Sequence, residues 1–292
     1  MPDRSERDCR SGRLPPWFKI RLASNERSHS LERLVSDNKL HTVCQSAACP
    51  NKAECWNNGT ATFMILGDIC TRGCRFCNVN KGAPREVDLD ETRRVAEAVH
   101  ALFLDYIVIT SVTRDDLSDG GAGQFARLIV ELRSRSPRTR VEVLIPDLQG
   151  NRAALQTIVH ANPDVLAHNI ETVPSYYPLV RPQADYRRSL VLLKRAGEQG
   201  LVTKSGLMLG FGEDLSEVRT VLDDLRDAGC TILTLGQYLR PGKNHAPVKK
   251  YYHPDEFAML KSYADSLGFR TISGPLVRSS YHASEYGIST VR

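Results

Sequence analysis

The chain has no apolar run approaching the roughly 18 residues that a membrane-spanning helix needs, so no membrane span is expected. The opening stretch MPDRSERDCRSGRLPPWFK lacks the apolar core of a secretory signal. Its Asp3, Glu6 and Asp8 make it too acidic for an organellar transit peptide. The expected location is therefore the cytoplasm. Charge of one sign is also scarce. A net charge of +5 is a mild, dispersed bias that permits an acidic protein partner or a phosphate-bearing ligand. No basic run is interleaved with aromatics along one element, so nucleic acid is not an expected partner.

At 292 residues, 41% hydrophobic and 25% charged, the chain is long enough for one large domain or two small ones. Residues 1–14 are polar and read as disordered, and SLERLVSDNKL (30–40) as a short helix. Strand-like and helix-like segments then alternate. Strands are expected at 61–68, 106–112, 141–148, 165–173, 203–212 and 232–239, with a last one at 269–277. Helices are expected at 91–103, 123–135, 151–161, 186–200, 215–229 and 253–268. Such alternation implies a parallel sheet with helices outside it, and strands that read as continuous apolar runs suit a sheet covered on both faces. Six units are too few for a closed eightfold barrel, so the expected fold is α/β, a partial (β/α)6 TIM-type barrel. A doubly wound open sheet is the rival. In either, ligands sit beyond the C-terminal ends of the strands.

Eight cysteines are present, and six of them form two triplets between residues 44 and 77. In a cytosolic enzyme, clustered cysteines are more often metal ligands or catalytic groups than disulfides. GDICTRGCRFCNV places Cys70, Cys74 and Cys77 on one loop after the first strand, as CxxxCxxC. Arg72 and Arg75 are expected to favour the thiolate, the ligating form. Three ligands leave one coordination position open, which is how a metal site becomes catalytic. Spacing alone leaves zinc and iron–sulfur equally open. CQSAACPNKAECW holds the second triplet, Cys44, Cys49 and Cys55, again one ligand short. Its spacing is unlike common zinc modules, although a structural zinc remains an alternative. Cys9 and Cys230 lie outside both motifs and read as a surface and a core thiol.

CxxxCxxC after the first strand of a strand–helix chain resembles the radical S-adenosylmethionine superfamily. The second triplet together with RSSY (278–281) resembles the lipoyl synthase family within it. The likeness runs through LPPWFK (14–19), ITSVTRDDLSDGGA (109–122), HNIETV (168–173), KSGLMLGFGE (204–213) and QYLRPGKNHAPVKKYYHPDEF (237–257). A biotin synthase-like sulfur-inserting enzyme would keep CxxxCxxC without the other two motifs.

The resemblance implies two [4Fe–4S] clusters and S-adenosyl-L-methionine as cofactors. Cys70, Cys74 and Cys77 would hold the cluster whose open iron chelates S-adenosylmethionine, with Phe76 as the aromatic before the last cysteine. Cys44, Cys49 and Cys55 would hold an auxiliary cluster completed by Ser280, with Ser279 the less favoured choice. The implied reaction inserts two sulfur atoms at C6 and C8 of an octanoyl chain borne on a lysine of a carrier domain. Those C–H bonds are unactivated, so a radical must break them, and the auxiliary cluster is the sacrificed sulfur source. Cofactor contacts are expected from Thr110, Ser111 and Thr113 after the second strand, Asn169 and Glu171 in the fourth, Lys204 in the fifth, and Gln237 and Arg240 ending the sixth. Implied partners are acidic octanoylated lipoyl carrier domains, an electron donor such as ferredoxin or flavodoxin, and an iron–sulfur carrier, with the enzyme itself a monomer. The expected organisation is an N-terminal extension (1–60) bearing the auxiliary-cluster loop, a barrel (61–277) and a C-terminal extension (278–292) closing the open face.

Overall fold

The computed structural model describes residues 14–19 and 26–287. The strands are β1 (His41–Thr42), β2 (Thr60–Ile65), β3 (Ile69–Cys70), β4 (Asn80–Lys81), β5 (Tyr106–Ser111), β6 (Arg140–Leu144), β7 (Val165–Ala167), β8 (Val202–Leu209), β9 (Ile232–Gln237) and β10 (Arg270–Gly274). Eight of them form one sheet in the order β1-β2-β5-β6-β7-β8-β9-β10, while β3 and β4 make a small ladder of their own. All neighbours in the large sheet are parallel except β1, which runs antiparallel to β2. From β2 to β10 the spatial order is the chain order. A doubly wound sheet reverses direction at a switch point. Here there is none, so the sheet winds one way as an open, partial barrel, and the rival reading falls.

Three helices precede or follow the cysteine loop at the N-terminal side: α1 (Glu26–Asp37), α2 (Val43–Ser46) and α3 (Lys52–Asn57). Six cover the sheet: α4 (Glu91–Ala101), α5 (Ala122–Arg135), α6 (Arg152–His160), α7 (Tyr186–Gly197), α8 (Leu215–Asp227) and α9 (Pro254–Ser266). The last is α10 (Ala283–Gly287). Local signals start several of them. Asp185 accepts from the Arg188 amide at 2.6 Å ahead of α7. Glu217 accepts from the Asp214 amide at 3.0 Å, and Glu256 from the His253 amide at 2.8 Å, the reach-back of a capping box.

The strands alternate more than their composition suggests. Phe63 and Ile65 of β2, Ile107 and Ile109 of β5, and Val141 and Val143 of β6 pack in one core with the covering helices. Leu233 and Leu235 of β9 do the same in a second core. The intervening residues point into the barrel, where several are polar. Near its floor Tyr106 donates to Glu142 at 2.7 Å, and the Lys204 ammonium lies 2.8 Å from the same carboxylate. Ala283 of α10 is buried against Tyr106 and Val108, so the C-terminal segment enters the barrel itself.

Every expected strand ends earlier than read, two of them by four residues or more. The one at 141–148 ends at Leu144, because Asp147 caps a turn in which Leu148 and Gln149 take positive φ. The one at 165–173 ends at Ala167. Beyond it, the His168 ring bridges the Ile145 carbonyl and the Ser189 hydroxyl, and Glu171 adopts φ 67° before a single bridge to Leu207. Asn169 and Glu171 are therefore on the loop past the strand, not in it.

Candidate active site

Strand β2 delivers the CxxxCxxC loop to the C-terminal mouth of the barrel, and several neighbours tie it down. The Thr71 amide donates to the Thr113 carbonyl at 3.0 Å, and the Thr113 amide donates back to Cys70 Sγ at 3.3 Å. The Arg75 amide donates to the Val180 carbonyl and the Ala246 amide to that of Arg75, each at 2.8 Å. Gln183 accepts from the Gly73 amide at 2.6 Å. The loop is thus held from the segments after β5 and β7 and from the loop after β9.

The expected electrostatic role of the two arginines holds only in a minor way, since Arg72 lowers Cys74 less than Arg181 does and burial outweighs both. Arg72 is buried and donates to Asp115 at 2.6 and 2.8 Å and to Asp147 at 2.6 Å, while Arg75 is exposed. Arg72 acts as a buried strut beneath the loop. Burial tends to raise the Asp147 pKa, but the Arg72 guanidinium overrides it and holds the carboxyl below its usual range. Burial pushes Cys74 up, with Arg181 its foremost cationic neighbour, and pushes Cys77 to about 11 with the Cys74 and Cys70 thiols adding to it. Thiols held protonated in this way release protons when they bind a metal.

The second triplet sits on α2, α3 and the turn between them. Thr42 starts α2 by accepting from the Gln45 amide at 3.3 Å, and the Cys49 amide donates to the Cys44 carbonyl at 3.0 Å. Burial drives Cys55 to about 12, with Cys44, Cys49 and Glu54 adding to the rise. The two cysteine loops touch, since Asn78 donates to the Ser46 carbonyl at 2.8 Å. The C-terminal segment crosses β9 so closely that a Cβ at Gly236 would fall 2.1 Å from the Val277 carbonyl oxygen.

Between these parts lies one cavity of about 500 Å³. Its wall includes Cys44, Cys49, Cys55, Cys77, Ser279 and Ser280. Among the other residues singled out in the sequence, Phe76, Asn169, Glu171, Gln237 and Arg240 also line it. Cys70 and Cys74 do not, although they share the loop of Cys77. Thr110 is turned aside to donate to the Leu144 carbonyl at 2.8 Å, and the buried Ser111 hydroxyl has no partner. Gln237 spends its side chain on the main chain, donating to Leu209, Tyr238 and Lys250 carbonyls and accepting from the Tyr252 amide. Arg240 is exposed and its guanidinium is held by the carbonyls of Lys243 and His245.

Lys204 does not reach the site. It lies near the N-terminal end of β8, not its C-terminal end, and both it and Glu142 are 2% exposed. Breaking one side of a buried ion pair leaves the other charge uncompensated and costs about 3–5 kcal/mol. Lys204→Met is therefore expected to lower the denaturation midpoint sharply, and pairing it with Glu142→Leu to restore much of the loss. Chemical denaturation of the single and double variants checks this.

Sequence reasoning missed Arg181, Asn51 and Glu54. Arg181 is buried, donates to the Asn169 and Ile170 carbonyls at 3.1 and 2.9 Å, and pulls against the burial that raises Glu171. It sits in YYPLVRPQADY, where no periodicity marks it. Asn51 and Glu54 lie inside the second triplet's own spacing, a position that could have drawn attention to them.

The residues suit the expected groups. Among the described residues, no three His, Cys, Asp or Glu side chains converge on a point that could hold a single ion. The six cysteines of the two triplets are free thiols, and a cluster presents separate iron corners to such ligands. The buried Asn169 Oδ1 has no partner, and the Glu171 carboxyl lies beside it in the wall. Gly206 keeps that space free, because a Cβ there would come within 3.0 Å of Asn169 Oδ1 and 2.5 Å of Thr234 Oγ1. A bound amino or hydroxyl group would supply the missing donor.

A model of the radical SAM superfamily matches residues 64–225, more than half of the chain. The crystal structure of methylornithine synthase superposes with a TM-score of 0.57 at 13% identity, covering 91% of this chain and 74% of that one, a likeness of fold alone. Winding, cysteine loop and family model together define the class as radical S-adenosylmethionine proteins. Within that class, the lipoyl synthase of Caldicellulosiruptor saccharolyticus is 54% identical over 274 residues, 93% of this chain and 96% of the relative. That of Oleidesulfovibrio alaskensis is 53% identical over 275 residues, 94% of each. The chain belongs to the lipoyl synthase family. Its activity is radical S-adenosylmethionine-dependent sulfur insertion, and its cofactors are [4Fe–4S] clusters and S-adenosylmethionine. No helix among the described residues is long and apolar enough to cross a membrane.

Proposed function

We propose that the chain converts a protein-bound octanoyl-lysine to lipoyl-lysine in the cavity between its two cysteine loops. The observation that carries this reading is that one cavity is lined by Cys77 on one side and by Cys44, Cys49, Cys55 and the Ser279–Ser280 pair on the other. Cys70, Cys74 and Cys77 would hold the cluster that binds S-adenosylmethionine, and Cys44, Cys49, Cys55 and Ser280 the auxiliary one. When bound, these groups supply the electron and the radical that break the C6 and C8 C–H bonds and the sulfur that replaces them. The protein's own part is to orient and to exclude water. Asn169 and Glu171, both in the cavity wall, would receive the amino or ribose groups of S-adenosylmethionine. Thr113, whose amide contacts Cys70, would steady the cysteine loop. Thr110 and Ser111, one spent on a carbonyl and one unpartnered, would shape the wall behind it.

Residues 1–60 would serve as the auxiliary-cluster extension, 61–277 as the barrel and 278–292 as the closing segment. An acidic carrier domain delivering the octanoyl chain suits the basic residues Lys243, Lys249 and Lys250 after β9. A reduced ferredoxin or flavodoxin and an iron–sulfur carrier complete the partners of a cytoplasmic monomer.

The serine pair offers the direct test. An alkoxide is a harder iron ligand than a thiolate and should leave more readily when sulfur is drawn off. Ser280→Ala is expected to keep both clusters, since three thiolates remain, and to keep S-adenosylmethionine cleavage while sulfur transfer falls. Ser280→Cys should hold its iron more firmly and also transfer poorly. Mass spectrometry of an octanoylated lipoyl-domain peptide after anaerobic turnover measures both. Loss of transfer in Ser279→Ala but not in Ser280→Ala would move the ligand by one residue. Full transfer in both would remove serine from the site.

A further inference from the structure

The segment carrying Ser279 and Ser280 is gripped on both sides by the loop that carries the second cysteine triplet. Ahead of the serines, Asn51 Nδ2 donates to the Leu276 carbonyl at 2.7 Å. After them, the Tyr281 hydroxyl donates to Glu54 Oε1 at 3.0 Å, and His282 Nε2 lies 3.2 Å from the same oxygen. These contacts join residues 225 to 228 positions apart. Glu54 immediately precedes Cys55 on α3. One short helix therefore offers a thiol to the cavity and a carboxylate to the two residues that follow the serine pair. Ala283, one residue further on, is anchored inside the barrel against Tyr106 and Val108. The serines are thus held on a short span with fixed ends, over a cysteine loop that supplies a clamp at each end, and Glu285 also holds the His282 ring through Nδ1.

The two clamps differ. Asn51 is buried, whereas Glu54 is 41% exposed and His282 28% exposed in their side chains. The Glu54 end lies at the rim and is the one that can open without unpacking the core. We infer that Glu54 is a positioning residue for sulfur insertion, a latch that sets the Ser280 oxygen against the cysteine triplet by holding Tyr281 and His282. It touches neither substrate nor cofactor in this role. The inference rests on the reading that Ser280 is the fourth auxiliary ligand.

The test uses the full-length, anaerobically reconstituted protein and two readouts. One is amide hydrogen exchange over residues 276–282. The other is the ratio of lipoyl product to 5′-deoxyadenosine. Glu54→Ala removes the acceptor of two hydrogen bonds, one partly exposed end of each. It is expected to speed exchange in 276–282 by roughly tenfold and to lower the product ratio by a similar factor, with iron content unchanged. Glu54→Gln keeps an acceptor oxygen and should return both readouts towards native values. Adding Glu54→Ala to Ser280→Ala should lower the product ratio no further, since the latch acts through the serine. If Glu54→Ala loses iron, Tyr281→Phe keeps the ring, removes one hydrogen bond and should move both readouts in the same direction to a smaller extent. Native exchange and ratio in Glu54→Ala, with a lowered ratio in Ser280→Ala, would overturn the latch and leave the ligand assignment standing. A native ratio in Ser280→Ala would overturn the ligand assignment on which the latch depends. Failure of Glu54→Gln to rescue would overturn the hydrogen-bond account.

Discussion

Replacing Cys70, Cys74 and Cys77 together by Ala is expected to abolish S-adenosylmethionine cleavage, with 5′-deoxyadenosine falling to background. It should also remove about half of the iron from a reconstituted protein that otherwise binds about eight atoms, taking four per cluster. The fold should survive, because the loss of the Thr113 amide to Cys70 bond leaves the main-chain bonds from Thr71 and Arg75 and the buried Arg72 strut in place. Iron analysis, chromatography of the nucleoside product and circular dichroism check the three parts. Cofactor cleavage by the triple variant would contradict the assignment of that loop.

The complementary change, Cys44, Cys49 and Cys55 to Ala, is expected to separate the two halves of the chemistry. The other loop remains intact, so 5′-deoxyadenosine should still form. Lipoyl product should vanish, because on the proposed assignment these thiols hold the sulfur donor. The two loops are joined by the Asn78 to Ser46 hydrogen bond, so cleavage is expected to slow somewhat without stopping. Turnover with an octanoylated peptide, without added sulfide, gives both numbers. Lipoyl product from this variant would remove the auxiliary cluster from the reaction as its sulfur source.

Much of this was legible in the sequence. Alternation of strand-like and helix-like segments implied a parallel sheet covered by helices, since each element's apolar face must be buried against the next. The two cysteine spacings are local and need no knowledge of the fold, and with RSSY they carried the resemblance that pointed to the chemistry. The helices at 186–197 and 215–227 were readable for the same reason: their start signals and apolar stripes lie within a few residues of each other.

What only the tertiary structure decided is everything that depends on residues far apart in the chain. Lys204 reads as a cofactor contact from its place in KSGLMLGFGE, yet β8 begins at Val202, which puts the lysine near the barrel floor against Glu142. Arg72 and Arg75 read as cations beside thiols, yet Asp115 and Asp147, brought in from two other strand ends, claim the first. Asn169 and Glu171 read as strand residues because their neighbours are apolar, and a positive φ at Glu171 takes them out of it. The sequence by itself determined the two cysteine spacings, the family they resemble and the order of the strands along the chain. The winding of the sheet then determined that Asn51 and Glu54 meet the C-terminal segment more than 220 residues away. Local periodicity records which face of an element is buried. It holds no record of which distant side chain arrives there, and in this protein those arrivals shape the cavity.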